Sequence, residues 1–105
     1  MFSGGDYADV ARWLRNFVAS HAKRENPRVE AVVEAEGRRE GRSYGVRLEL
    51  GPALSPPADR DPVELSFAEV AASRGSLDWC QALATRVRVC ARELSAAGAA
   101  SPRPA

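Results

Sequence analysis

The chain has a single lysine, a single histidine and only two cysteines among its 105 residues. Two cysteines are too few for a disulfide framework, so we expect reduced thiols and a cytoplasmic protein. No apolar run approaches the ~20 residues of a membrane-spanning helix, and the first residues lack the basic and apolar regions of a secretory signal. The sequence therefore predicts no membrane partner.

An excess of charge of one sign is also missing. Fifteen basic residues oppose 14 acidic ones, and the net charge of +1 excludes strong bulk attraction to nucleic acid or anionic membranes. Nearly all of the basic residues are arginine, and the chain is also rich in alanine. This composition is typical of a GC-rich genome, which we expect to be bacterial. The length predicts one domain, which we place at 1–98, followed by a disordered tail at 99–105.

Helical periodicity marks the first segment of the chain. Residues 6–24 carry apolar side chains at spacings of three and four, which predicts an amphipathic helix. Asp6 or Ser3 can cap its start. Asn26 ends it, because the residue before a proline, here Pro27, disfavours helical backbone.

Two runs with the alternation of β-strands follow. Residues 28–37 and 42–50 alternate apolar and polar side chains, and the glycines at positions 37 and 41 flank their connection, which predicts a β-hairpin. Acidic side chains occupy much of its outer face, where we expect solvated cross-strand charge pairs rather than an acid–base pair. These acids are Glu30, Glu34, Glu36 and Glu49.

The middle of the chain is rich in proline. Residues 51–62 hold four prolines, which lack backbone donors, so we predict a long surface loop outside the sheet. A short alternating run then predicts a third strand to about Leu65. Ser66 and Glu69 match a capping box, in which Glu69 reaches back to the Ser66 amide, and predict a short helix to Ser73.

A second amphipathic stripe predicts a last helix over residues 77–96, with Ser76 as its cap and Gly98 at its end. Gly75 fits the C′ position of the helix before it. A hairpin with one apolar face must be covered to be stable. We therefore predict an α+β two-layer sandwich, with an antiparallel sheet of two to three strands covered on one face by the N- and C-terminal helices, in the order α-β-β-β-α-α.

The residues that carry chemistry form no catalytic or metal-binding set. No serine or cysteine can be placed beside His21, which we expect to be partly buried near the end of its helix. Cys80 and Cys90 are separated by ~15 Å of helix, too far for a disulfide or a shared metal. We therefore predict two small core side chains, no metal and no cofactor. A small-molecule or enzymatic pocket near His21 and Tyr44 remains an alternative.

Arginines gather at two places in the predicted fold. Arg38, Arg39 and Arg42 lie at the hairpin tip, and Arg88 and Arg92 lie one turn apart on the last helix. Together they would form a phosphate-binding surface. The other interpretation is a set of solvated arginines, because no aromatic side chains are interleaved with them. The glycines show no nucleotide-binding spacing.

The predicted order of helix, three strands and helix is similar to that of double-stranded-RNA-binding domains. The last helix here does not begin with the lysine cluster of that family, since Lys23 is the only lysine. The resemblance is one of topology and carries over no residue.

Three apolar residues indicate a contact surface. Trp13 and Trp79 lie beside the apolar stripes of their helices, and Val32 lies on the outer sheet face. The other interpretation of the tryptophans is the edge of the core. The sequence favours a non-enzymatic interaction module, protein–protein or homodimeric, and nucleic-acid binding is the leading alternative.

Overall fold

The fold is a four-stranded antiparallel sheet with three helices, in the order α-β-β-β-β-α-α. A computed structural model describes residues 6–57 and 59–100, with side chains as far as Ala96. The predicted α+β sandwich is confirmed. The elements are α1 (Tyr7–Glu25), β1 (Glu30–Glu34), β2 (Ser43–Leu50), β3 (Ala53–Ser55), β4 (Val63–Ser66), α2 (Phe67–Ser73) and α3 (Leu77–Ala100).

The longest strand, β2, organises the sheet. Strand β1 pairs along one of its edges, with Val32 opposite Arg47. The other edge is shared, because β4 pairs with its first half and β3 with its second half. Strands β1, β3 and β4 therefore each pair with β2 alone among the described residues, and β1 forms one whole side of the sheet.

Alternation along the strands sends one set of side chains towards the helices and the other set outwards. The inner set includes Tyr44, which is fully buried, and Leu48, which is 3% exposed. Leu14 of α1 and Val87 of α3 belong to the same core cluster. Both long helices contact the sheet, so the core lies between the helical layer and the inner sheet face, as predicted.

Side chains of the predicted types cap the helices. The Asp6 carboxylate accepts a bond from the Asp9 amide at the start of α1, and Asn26 ends that helix. The Ser66 hydroxyl caps α2 as predicted. The Glu69 carboxylate accepts a hydrogen bond from the Trp79 indole at 2.9 Å instead of reaching back to the Ser66 amide. The predicted Glu69 contact of the capping box is therefore wrong.

Other boundaries also differ from prediction. Residues 53–55 form an edge strand inside the predicted loop, because the prolines at 52 and 56 lie just outside it and leave its pairing bonds intact. Helix α3 continues two residues past Gly98. Gly75 lacks the positive φ angle of a helix C′ glycine. Residues 101–105 of the predicted tail lie outside the described residues.

Candidate functional site

Two stacked tyrosines, Tyr7 and Tyr44, hold the connection between β1 and β2 against α1. The Tyr7 hydroxyl lies 3.1 Å from the carbonyl oxygen of Ala35 and 3.0 Å from that of Arg39, and it also contacts the Ser43 carbonyl. The Tyr44 hydroxyl donates to the Tyr7 carbonyl at 2.8 Å, and the ring centroids are 4.6 Å apart. Burial, followed by the negative charge of nearby carboxylates, raises the pKa of Tyr7. These contacts fix the hairpin to the start of α1.

Arg39 does not extend into solvent from the hairpin tip. Its guanidinium pairs with Glu64 at 3.0 Å and with Glu34 at 3.3 Å, so it bridges β4 and β1 across β2. Gly45 of β2 makes room for it, since a Cβ there would lie 2.8 Å from Arg39 Nε. Hydrogen bonds from Ser43 and from Arg39 hold the pKa of Glu64 below its usual value.

Arg47 attaches the proline-rich loop to the outer face of the sheet. Its guanidinium donates to the carbonyl oxygens of Pro56, Pro57 and Arg60 at 2.7–2.9 Å. Its Nε also lies 3.4 Å from Glu34. The Arg47 side chain is therefore only 12% exposed, and the loop is packed against the sheet.

The five candidate phosphate-binding arginines do not form one surface. The tip arginines lie near the start of α1, where Tyr7 contacts the Arg39 carbonyl. Arg92 pairs with Glu25 at the opposite end of α1, which for a 19-residue helix is about 27 Å away. Arg88 lies on the same stretch of α3 as Arg92. Of the five, Arg38 and Arg42 remain exposed and in no ion pair within the part of the chain that the structure describes.

The two tryptophans contact each other. The ring centroids of Trp13 and Trp79 are 6.3 Å apart, and that of Phe17 is 5.0 Å from Trp13. All three rings are half-buried and pack against the core. The tryptophans thus join α1 to α3 at the edge of the core, and their shared contacts leave each ring only partly available to a partner.

His21 continues this row of rings. Its ring centroid lies 4.6 Å from that of Phe17, and its Nδ1 is buried without a hydrogen-bond partner in residues 6–57 and 59–100. Burial lowers the pKa of His21 below 6.5, and the positive charges of Arg24 and Arg88 lower it further. Such an environment favours the neutral imidazole.

The lowered pKa makes His21 a source of pH-dependent stability. The unfolded chain binds a proton at His21 more readily than the folded chain, so the free energy of unfolding falls as the pH drops from 7 to 5. Replacing His21 by leucine should flatten this dependence, as measured by urea denaturation at both pH values. Equal pH dependences in the variant and the wild type would contradict this assignment.

The structure does not bring His21 and Tyr44 together. Tyr44 bonds to the first residue of α1, and His21 lies 14 residues further along that helix, about 21 Å away. An apolar cavity between α3 and the sheet, lined in part by Leu83 and Cys90, measures about 40 Å³. Small-molecule pockets are usually about 300–1,000 Å³, so this cavity fits a side chain rather than a substrate.

The cysteines and acids form no cluster of ligands. Cys80 and Cys90 are free and half-buried, less buried than predicted. No group of three potential metal ligands occurs within residues 6–57 and 59–100. No helix in the same ranges combines the length and the apolar character that crossing a bilayer requires.

The outer edge of β1 pairs with no other strand among the described residues. Strand β1 contains no proline or lysine, two residues that commonly protect an edge. Beside the end of this strand lies a groove of about 440 Å³, whose lining residues are Arg15, Val33, Glu34, Ala35, Glu36 and Arg39. Val32 is half-buried on the outer face of this strand.

No family model matches the chain, and the comparisons with curated proteins and with solved structures find no match.

Several residues that hold the hairpin and the proline-rich loop in place were not identified from the sequence. Tyr7 was visible only as one member of a helical stripe, and the partners of Arg47 are backbone carbonyls, which leave no pattern in the sequence. Gly45 was a usable signal, since a glycine inside an alternating strand often marks the close approach of another group. Here that group is the Arg39 side chain.

Proposed function

We propose that this protein is a non-enzymatic interaction module that binds an extended segment of a partner protein along the outer edge of β1. The observation that carries the proposal is the open edge itself. Residues Glu30–Glu34 pair only with β2 in the described part of the chain, and an open groove lies beside the end of the strand, at Val33 and Glu34. An added strand would satisfy the free N–H and C=O groups of this edge.

The charges along β1 favour a basic partner over a second copy of β1. Glu30 and Glu34 lie on the outer face, where the Glu30 side chain is 64% exposed and pairs with Lys23 at 3.3 Å. Glu34 pairs with Arg39 and Arg47. If two β1 strands paired about a two-fold axis at Val32, Glu30 of one copy would face Glu34 of the other, and like charges directly opposite are destabilising. A partner segment with lysine or arginine at alternate positions avoids this cost.

On the inner side of the same edge, small apolar residues of the partner segment are favoured. Ala31 and Val33 are half-buried and pack against the core. A segment that alternates basic and apolar residues would therefore place its charges beside the outer carboxylates and its apolar side chains towards α1. We propose a cytoplasmic partner, because Cys80 and Cys90 are both free thiols.

Amide chemical-shift titrations test this proposal. We expect a short peptide alternating lysine and valine to shift the amides of Glu30–Glu34, and a glutamate–valine peptide to leave them unchanged. Duplex RNA at low salt serves as a third probe. Shifts at Arg38 and Arg42 with RNA alone would overturn the proposal in favour of nucleic-acid binding.

A charge reversal tests the acidic edge directly. Glu30→Lys should weaken binding of the lysine–valine peptide about tenfold, since it turns one attractive pair into a repulsive one. Asp59→Lys makes the same charge change in an exposed loop and should leave the affinity unaltered. Equal weakening by both variants would show that only the overall charge matters.

A further inference from the structure

Helix α3 has a second face that no described part of the chain covers. Arg86, Val89 and Glu93 follow one another at spacings of three and four, so they lie on one stripe of the helix. All three are exposed, and Val89, at 39%, is one of two large apolar side chains exposed among the described residues. Ala82 and Ala96, seven residues on either side of Val89, continue the stripe as small exposed residues.

The two charges of this stripe have no partner among the residues that the structure describes. Within residues 6–57 and 59–100, neither Arg86 nor Glu93 forms an ion pair or hydrogen bond through its side chain. They cannot pair along the helix, because they are seven residues apart and such pairs form at spacings of three or four. Their neighbours at those spacings carry no charge.

We propose that this face, formed by Ala82, Arg86, Val89, Glu93 and Ala96, binds the same face of a second copy of the chain, with the two α3 helices antiparallel. Arg86 precedes Val89 by about one turn and Glu93 follows it by about one turn. An antiparallel copy centred on Val89 therefore places its Glu93 beside Arg86, and the two-fold axis repeats this pair.

The charges also fix the orientation of the second copy. A parallel arrangement would place Arg86 beside Arg86 and Glu93 beside Glu93, which is repulsive at both ends. The small side chains of Ala82 and Ala96 allow the helices to approach closely. This interface is separate from the β1 edge, so the protein would offer one peptide-binding edge per copy.

Charge swaps test the interface in the full chain by sedimentation equilibrium. We expect the wild type to dimerise, and Arg86→Glu and Glu93→Arg each to raise the dissociation constant about tenfold or more, because each change creates two like-charge pairs. Combining Arg86→Glu with Glu93→Arg should restore the wild-type constant. Arg60→Glu, a charge reversal in an exposed loop, should have no effect.

A covalent cross-link provides a second measurement. In a chain with Cys80→Ser and Cys90→Ala, Val89→Cys should form a disulfide-linked dimer on mild oxidation, since the two-fold axis passes close to this position. Ser20→Cys, at an exposed position of α1, should not form this dimer.

A chain that stays monomeric to about 1 mM overturns the proposal. So does a dimer that resists both single reversals, or one that the double variant fails to restore. Lysine–valine peptide binding is measured on the same variants and should be unchanged, so the two proposals can fail independently.

Discussion

Replacing Tyr44 by alanine should lower the free energy of unfolding by about 3–5 kcal/mol, a large part of the total stability of a small domain. Tyr44 is the largest fully buried side chain of the core. Its ring stacks on Tyr7 and meets the edge of Phe67, whose centroid is 6.3 Å away. The truncation would leave a cavity where β2, α1 and α2 meet. Urea denaturation followed by circular dichroism measures the loss.

Two further variants separate packing from hydrogen bonding. Tyr44→Phe keeps the ring and removes only the bond to the Tyr7 carbonyl, so we expect a loss of about 1 kcal/mol. Leu77→Ala removes a large apolar side chain that is 70% exposed and should cost less than about 0.5 kcal/mol. If Tyr44→Ala were no more destabilising than Tyr44→Phe, the packing of this ring would not contribute as described.

The fold was largely predictable because its main elements have local signals. The periodicity of residues 6–24 and the alternation of 28–37 and 42–50 each lie within a continuous stretch of sequence. Strand β3 was missed because only three residues pair, too few for an alternating pattern, and the flanking prolines argued against a strand. Its formation depends on β2, which supplies the edge to which it pairs.

The arrangement of charged side chains on the surface was less predictable than the fold, because its contacts join distant parts of the chain. The ion pair between Arg39 and Glu64 spans 25 residues and requires β4 to lie beside β2. The separation of the two arginine groups follows from how α1 and α3 pack, and the sequence does not encode that arrangement in any local pattern. The stripe on α3 was readable as a helical face, yet nothing in the sequence showed that the fold leaves it uncovered.

Replacing Arg47 by methionine should release the loop that lies on the outer sheet face. The guanidinium is the donor for the carbonyls of Pro56, Pro57 and Arg60, and methionine keeps an unbranched apolar chain without any donor. We expect the free energy of unfolding to fall by about 1–3 kcal/mol, because water replaces only part of these charge-assisted bonds. Hydrogen exchange at the amides of residues 59–61 should accelerate more than exchange in β2.

Arg60→Met is the matched control for this variant. Arg60 contributes only its backbone carbonyl to the contact, so removing its exposed side chain leaves the Arg47 bonds in place. Exchange in the loop and the free energy of unfolding should then stay at wild-type values. Arg47→Lys should fall between the two, because an ammonium group cannot reach the separate carbonyls with the fixed fork of a guanidinium. If exchange in the loop were equally slow in Arg47→Met, the loop would be held by other contacts. The packing of Pro62 and its neighbours would then be what holds the loop on the outer face of the sheet.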